Sequence, residues 1–563
     1  MSYRAPVTEM RFLLDHVLGA GRLAETERFA EATGDMVDAI LNEAARLAED
    51  VLAPLRRAGD LEPARLENGV VRTSGGFSEA YKAIADGGWV GTAASPEFGG
   101  MGLPVSVLSC VNEILASANL ALSLCPLLTQ GQIEALEHHA DDEMKALYLP
   151  KLVSGEWTGT MNLTEPQAGS DVGALRSKAE PKDDGSYSVT GTKIFISWGD
   201  HDFGGNVCHL VLARLPDGAP GTKGISLFLV PKFIPDADGN PGAANSLKVV
   251  SLEHKMGLHG SPTCVMEFDG ATGWLVGAPH KGMAAMFTMM NNARLGVGIE
   301  GLSQAEAALQ DAISYAQERR QGRTPEEGVE TIQGHADVRR MLLTMAALTA
   351  TARAICLDCA FSIDMATATG DAAWDARAAF LTPIAKAFGT DTGCAVSDLG
   401  IQVHGGMGFI EETGVAQYFR DVRVTAIYEG TNGIQAMDMV GRKLADGGTA
   451  AKALIAEIAA TADAAGGALG ARLAAAADAL GAATDWMLGS ELNDRFAGAV
   501  PYLRAFALAL GGHYLLKGAA EGSDPQREAL AAFHVERLLP EVPALCAQAR
   551  GGAEQLYAWE IAS

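Results

Sequence analysis

Ser186-Tyr187-Ser188-Val189-Thr190-Gly191-Thr192-Lys193-Ile194-Phe195-Ile196-Ser197 sits in the middle of a sequence that otherwise reads as helix. It is rich in β-branched and aromatic residues, and Val207–Ala213, Ile225–Val230 and Thr263–Phe268 repeat that character with Gly, Pro and Asp between them. Short runs of this kind bounded by turn residues predict strands. The β character begins near Gly155 and ends near Pro279, leaving no room for helical crossovers.

On the N-terminal side, Val37, Ile40, Leu41, Ala44, Leu47 and Val51 recur at helical spacing, with Thr33 or Asp35 available as a cap. Helical patterning continues to about residue 155, interrupted by the loop 95–104, and residues 1–34 read as a polar arm. The uncharged stretch from Ile114 to Ile133 is long enough to span a bilayer. Its Ser117, Asn119, Gln130 and Gln132, and a break at Pro126, favour a buried core helix instead. On the C-terminal side, Leu302, Ala305, Leu309, Ala312, Ile313 and Ala316 mark an apolar stripe. Asp446-Gly447-Gly448-Thr449 reads as a linker, and the Ala-rich segment beyond it as further helix. The expected fold is mainly α with a central β domain and an extra helical domain. The expected parts are residues 1–34, 35–155, 156–281, 282–444 and 450–563.

The chain has 563 residues and a net charge of −26, with 48% hydrophobic residues. Such acidity disfavours nucleic acid and anionic membrane surfaces. Residues 441–563 are net acidic as well, which argues against a nucleic-acid role for the extra domain. Eight scattered cysteines are not a disulfide framework, and Cys356-Leu-Asp-Cys359 lacks a second ligand pair. The N-terminus lacks the basic and apolar regions of a secretory signal, so the expectation is a cytoplasmic protein without stable membrane insertion. Gly296-Val297-Gly298-Ile299-Glu300-Gly301 fits G-x-G-x-x-G but follows no strand, so close helix packing is its expected use.

Several segments carry chemistry. Leu163-Thr164-Glu165-Pro166-Gln167-Ala168-Gly169-Ser170-Asp171-Val172-Gly173 offers hydroxyls and free amides to a flat heteroaromatic rim or a phosphate; the alternative is a structural turn capped by Asp171. Phe195 and Ser197 alternate onto one face, suited to ring stacking or to a plain core strand. Glu318-Arg319-Arg320-Gln321-Gly322-Arg323 suits phosphate, or a helix C-terminus. In Gln402-Val403-His404-Gly405-Gly406 the glycines permit close backbone approach, and His404 reads as structural. Tyr428-Glu429-Gly430-Thr431-Asn432-Gly433 isolates a carboxylate after a mostly apolar run. Desolvation would make it a stronger base for a carbon acid; an ordinary surface turn is the alternative.

Together and in this order, these segments resemble the acyl-CoA dehydrogenase family over about residues 35–444. Glu253-His254-Lys255-Met256-Gly257-Leu258-His259-Gly260-Ser261-Pro262 adds a further likeness. The resemblance implies a helical domain, a central β-barrel and a four-helix domain binding FAD. It implies that Glu429 takes the α-proton of an acyl-CoA thioester while a β-hydride leaves for flavin N5, giving the trans-2-enoyl-CoA. The Glu429 N–H and a ribityl hydroxyl would hold the thioester oxygen. Met161, Leu163 and Thr164 would meet the flavin rim, and Phe195, Ile196 and Ser197 its other side. Arg319, Gln402, Gly405 and Gly406 would bind the dinucleotide tail across a subunit interface, and Thr431 would touch FAD. Ser170, counted among both cofactor and substrate contacts, and Arg294 would meet the CoA arm, and Tyr428 and Gly430 would wall the acyl cavity.

Two positions depart from the family pattern: Phe195 replaces the usual Trp, and Arg-Gln-Gly-Arg follows Arg319 in place of Phe-Gly. The length and extra domain resemble the large bacterial branch that includes 3-methylmercaptopropionyl-CoA dehydrogenases. The implied partners are an acyl-CoA, an electron-transfer flavoprotein and a second copy in a homodimer. The alternatives are medium- or long-chain fatty acyl-CoA as substrate, or an oxidase passing electrons to O₂.

Overall fold

The structure, a computed structural model, describes residues 3–561. Two compact units divide the chain: Ala44–Leu103 with Ala118–Ala293, and the residues up to Glu43 with Pro104–Ser117 and everything from Arg294 onward. The helical part expected at 35–155 is therefore shared between the two.

The first unit is built on seven strands: β1 (Trp157–Asn162), β2 (Lys178–Pro181), β3 (Tyr187–Ser197), β4 (Asn206–Arg214), β5 (Ile225–Pro231), β6 (Leu247–Leu252) and β7 (Thr263–Val276). β7 pairs with β3, β3 with β2, β2 with β4, β4 with β5 and β5 with β7, which closes a five-stranded ring. β6 and β1 flank it, and β1 runs parallel to β4 from Trp157↔Asn206 to Asn162↔Val211 without a helical crossover. Closure leaves few open strand edges. β5 is buried at every residue and reads as a continuous apolar run, whereas β7 alternates. β7 continues to Val276, beyond the expected Phe268. Val189, Ile196, Val211, Phe228, Val230, Met266 and Phe268 fill the barrel.

The Val105–His139 helix is broken at Asn119 (φ −156°, ψ 89°), not at the expected Pro126, which lies inside helix. Asn119 leaves helical geometry because its side chain works as a cap: Oδ1 accepts from the Leu122 N–H at 3.2 Å. This helix and Ala336–Thr369 are long and apolar enough to cross a membrane, but 89% and 72% of their apolar windows are buried, as in core helices.

In the second unit, Gly282–Glu318 supplies its residues from Arg294 onward and packs on Ala372–His404 backbone to backbone. A Cβ on Gly298 would lie 2.5 Å from the Ala385 carbonyl oxygen, and one on Gly301 2.5 Å from Thr390 Cα. The G-x-G-x-x-G segment thus serves helix packing as expected. In the expected apolar stripe, Ile313 is 36% exposed.

One expectation is corrected. Residues 1–34 are not a polar arm: Met10, Leu13, Leu14, Val17 and Leu18 recur at helical spacing and are buried. Glu9 makes paired 2.7 Å contacts with Arg527, tying this segment to the C-terminal helices. The extra helical region expected at 450–563 is present, as helices from Thr449–Ala465 onward, and it packs within this unit. Asp358 of Ala336–Thr369 accepts from Arg377 at 2.6 Å and from the Tyr514 hydroxyl at 2.5 Å, joining them to the bundle.

Candidate active site

In the barrel unit, β3 carries a bulge. Its register with β7 runs Ile196↔Cys264 and then Lys193↔Met266, so Ile194 and Phe195 together face Val265. A bulge of this kind bends the strand and re-aims a side chain. Phe195 takes φ +61° and is 60% exposed. Ser197 is half-buried two residues on.

The bulge changes one expectation. Ile196 is 2% exposed and belongs to the barrel core. Only its main chain is available to a flavin, because the extra residue turns its side chain inward.

The loop 163–177 is fixed beside this strand. Glu165 is buried and accepts from Lys193 Nζ at 2.8 Å, from the Ser177 hydroxyl at 2.6 Å and from the Arg176 N–H at 2.6 Å. Burial pushes this carboxyl up, but Lys193 and the hydrogen bonds outweigh it and hold it down at about 2. Lys193 also donates to the Leu163 carbonyl at 3.0 Å, and the Ile194 N–H to that of Thr164 at 2.9 Å. Arg214 wraps the far end through the Gly173 and Leu175 carbonyls at 2.5 and 3.0 Å. Met161, Leu163 and Thr164 are half-buried there, and Ser170 is exposed. An exposed ring flanked by amides and hydroxyls, with the loop held rigid, is a donor set that fits a flat heteroaromatic system with a polar rim.

In the bundle unit, Glu429 follows the helix Val415–Val422 and the tight turn Arg423–Ala426, and precedes Asn432–Asp438. Thr431 caps that last helix by accepting from the Ile434 N–H at 3.2 Å, so its oxygen is already engaged. Glu429 sits at φ +54° and Gly430 at φ +83°. A left-handed non-glycine residue is strained by roughly 1–3 kcal/mol and persists only where its surroundings impose it. Here Gln435 Nε2 holds the Glu429 carbonyl at 3.1 Å, and Asn432 bonds Lys386 Nζ at 2.9 Å and Asp391 at 2.7 Å. Burial raises the Glu429 carboxyl to about 7, with Arg294 and Lys386 pulling the other way. That value suits a base working near neutrality. Buried Arg294 pairs with Asp438 at 3.5 Å.

Two groups near Glu429 had no role in the sequence reading. Glu300, 2% exposed, accepts the Tyr428 hydroxyl, and burial pushes it up to about 8. Lys386 is fully buried, and burial lowers it to about 8 against the pull of Glu429 and Glu300. Each had a signal: a lone charge among close-packing glycines at 296–301, and a lone lysine in the apolar run 383–388.

The residues expected at the dinucleotide tail, Arg319, Gln402, Gly405 and Gly406, are all exposed. Gly405 has φ +58°, and a Cβ on either glycine would meet open space, which suits main-chain approach by a phosphate. His404 is structural, as expected: Nδ1 lies 2.8 Å from the Gly400 carbonyl, and the ring stacks on Tyr315.

The chain matches known families along most of its length. Residues 35–156 match the acyl-CoA dehydrogenase N-terminal domain, 160–271 the middle domain and 280–444 the C-terminal domain. Residues 454–560 match the acetyl-CoA dehydrogenase C-terminal-like family. A 3-methylmercaptopropionyl-CoA dehydrogenase of Ruegeria pomeroyi is 47% identical over 82% of this chain and 80% of its own length. A butyryl-CoA dehydrogenase of Syntrophomonas wolfei is 35% identical over 78% of this chain and 76% of its own. In fold, the chain resembles an acyl-CoA dehydrogenase from Bacillus anthracis solved with FAD. The TM-score is 0.74 at 20% identity, covering 100% of this chain and 93% of that one.

Proposed function

The chain belongs to the acyl-CoA dehydrogenase family, and we propose that Glu429 is the base with which it dehydrogenates 3-methylmercaptopropionyl-CoA. It is an FAD-dependent oxidoreductase acting on an acyl-CoA thioester. When bound, FAD supplies the acceptor for the hydride that leaves the β-carbon. The Glu429 carboxylate takes the α-proton, and its main-chain N–H donates to the thioester oxygen as negative charge develops there. Phe195 would stack on the flavin, and Met161, Leu163, Thr164, Ser197 and the Ile196 main chain would border it. Arg319, Gln402, Gly405, Gly406 and Thr431 would hold the remainder of the cofactor. Ser170 and Arg294 hold the CoA arm, and Tyr428 and Gly430 line the acyl chain.

The observation that carries this reading is the left-handed Glu429, a carboxylate raised to about 7 with Arg294 and Lys386 as its charged neighbours. Glu429→Gln should stay yellow yet lose substrate-driven flavin reduction by about 10²–10⁴-fold. Reduction at the parent rate would refute the assignment.

The acyl group rests on the 47% identity to the Ruegeria pomeroyi enzyme. The test is kcat/KM for 3-methylmercaptopropionyl-CoA against butyryl-, octanoyl- and palmitoyl-CoA; a higher value for any straight chain overturns it. Electron-transfer flavoprotein is the proposed acceptor, and rapid peroxide formation on mixing the reduced enzyme with air would identify an oxidase instead. The working form is a cytoplasmic homodimer, checked by equilibrium sedimentation.

A further inference from the structure

Glu300 lies where the Gly282–Glu318 and Ala372–His404 helices are in backbone contact, next to Gly301, whose added Cβ would meet Thr390 Cα at 2.5 Å. Its burial is nearly complete: the residue is 2% exposed. One carboxyl oxygen is bonded to the Tyr428 hydroxyl, and the other, Oε1, has no hydrogen-bond partner among the described residues. The cations nearby are engaged elsewhere. Lys386 Nζ bonds Asn432 Oδ1 at 2.9 Å, and Arg294, earlier on the same helix, pairs with Asp438 at 3.5 Å. An ionised carboxylate with an unsatisfied buried oxygen would carry a large desolvation cost, whereas the neutral acid carries much less.

We propose that Glu300 is a positioning residue: an uncharged carboxyl that anchors the Tyr428 hydroxyl and so holds the adjoining Glu429 in its left-handed conformation. The inference rests on Glu429 being the base. Tyr428 and Glu429 face Glu300 from the catalytic loop and Lys386 from the neighbouring helix. Burial and the Glu429 charge raise Glu300 to about 8, against the Tyr428 bond and Lys386, while Glu429 itself stands at about 7. The two carboxyls therefore titrate as a coupled pair, and burial together with their like charges disfavours both being ionised at once. A carboxylic acid kept neutral by its surroundings remains a hydrogen-bonding group at pH 7 without adding a second negative charge beside the base.

The test uses the FAD-loaded enzyme and single-turnover flavin reduction. Glu300→Leu, which removes the anchor, should reduce the rate about tenfold or more with FAD content and KM unchanged, as expected for a misplaced base. Glu300→Gln, an uncharged isostere that still bonds Tyr428, should restore it to within about threefold at pH 7. The parent rate should also fall above about pH 8 as Glu300 ionises beside Glu429, and Glu300→Gln should flatten that part of the profile attributable to Glu300 rather than to Lys386. If Glu300→Gln is as impaired as Glu300→Leu, the group acts through charge and the proposal fails. It fails equally if Glu300→Leu reacts at the parent rate. Should Glu300→Leu not fold, the pH profile of Glu300→Gln decides: a profile unchanged from the parent overturns the proposal. Full activity in Glu429→Gln would sink the base assignment itself, whereas an inactive Glu429→Gln with unaffected Glu300 variants sinks only the anchor.

Discussion

Lys193 places its ammonium 2.8 Å from Glu165, and the two side chains are 0% and 4% exposed. The pair pins the loop 163–177 to the strand that carries Phe195. Removing one partner of a buried ion pair strands the other and costs about 3–5 kcal/mol. Lys193→Met should therefore lower the unfolding midpoint in denaturant and release FAD more readily. A variant as stable as the parent would refute the role given to the pair.

The same pair has an acid signature. The Glu165 carboxyl, held at about 2 in the folded protein, titrates at a higher pH once unfolded. A lowered folded value gives stability that is present above the unfolded value and is lost as pH falls through it toward 2. The stability gap between the parent and Glu165→Gln should accordingly narrow on acidification from pH 5 toward pH 2.

Glu429 has the opposite sign. Its folded value of about 7 lies above that of an unfolded glutamate. The folded state thus binds the proton more tightly, and stability falls as pH rises from about 4.5 to 7. Glu429→Gln, which cannot ionise, should be more stable than the parent at pH 8, by on the order of 1–3 kcal/mol, and nearly equal to it at pH 5. In the parent, kcat/KM should rise with pH through about 7 as the base ionises. Thermal melts at the two pH values and a pH–rate profile check both halves.

Phe195 offers an exposed ring where the family pattern has Trp. Aromatic stacking is worth about 0.5–1.5 kcal/mol beyond area burial. Phe195→Ala should weaken FAD retention by about 2- to 10-fold, and Phe195→Trp should hold the cofactor at least as tightly. Equilibrium dialysis of FAD measures this, and unchanged retention in the alanine variant would remove Phe195 from the cofactor site.

The ease of reading this sequence varied with how local the determining interaction is. The alternation in Ser186–Ser197 and the periodicity after Gly282 reflect a single strand face and a single helix face, and both are visible without a partner. The bulge that exposes Phe195 and buries Ile196 depends on the register with Thr263–Val276, a partner some seventy residues away, so neither the alternation of Phe195 with Ser197 nor the resemblance that set Ile196 against the flavin contained it. Glu429 was legible from its neighbours. Glu300 was not, because its meaning comes from Tyr428, 128 positions along the chain. The N-terminal segment was misread for the same reason: five buried residues in an otherwise charged stretch make sense only against helices more than three hundred positions along the chain.

That last contact orders events during synthesis. Glu9 and Arg527 are 518 positions apart, and the unit they share draws on both ends of the chain. The barrel unit has all its residues by Ala293. At about 5–20 residues per second, the ribosome finishes that unit well before Arg527 emerges, and the first eighteen residues wait without their partner in the meantime. A nascent chain arrested after residue 340 should resist protease across the barrel while its N-terminal helix is still cleaved, and protection of that helix should arrive only once Ala336–Thr369 and Leu492–Ala520 have emerged to cover it.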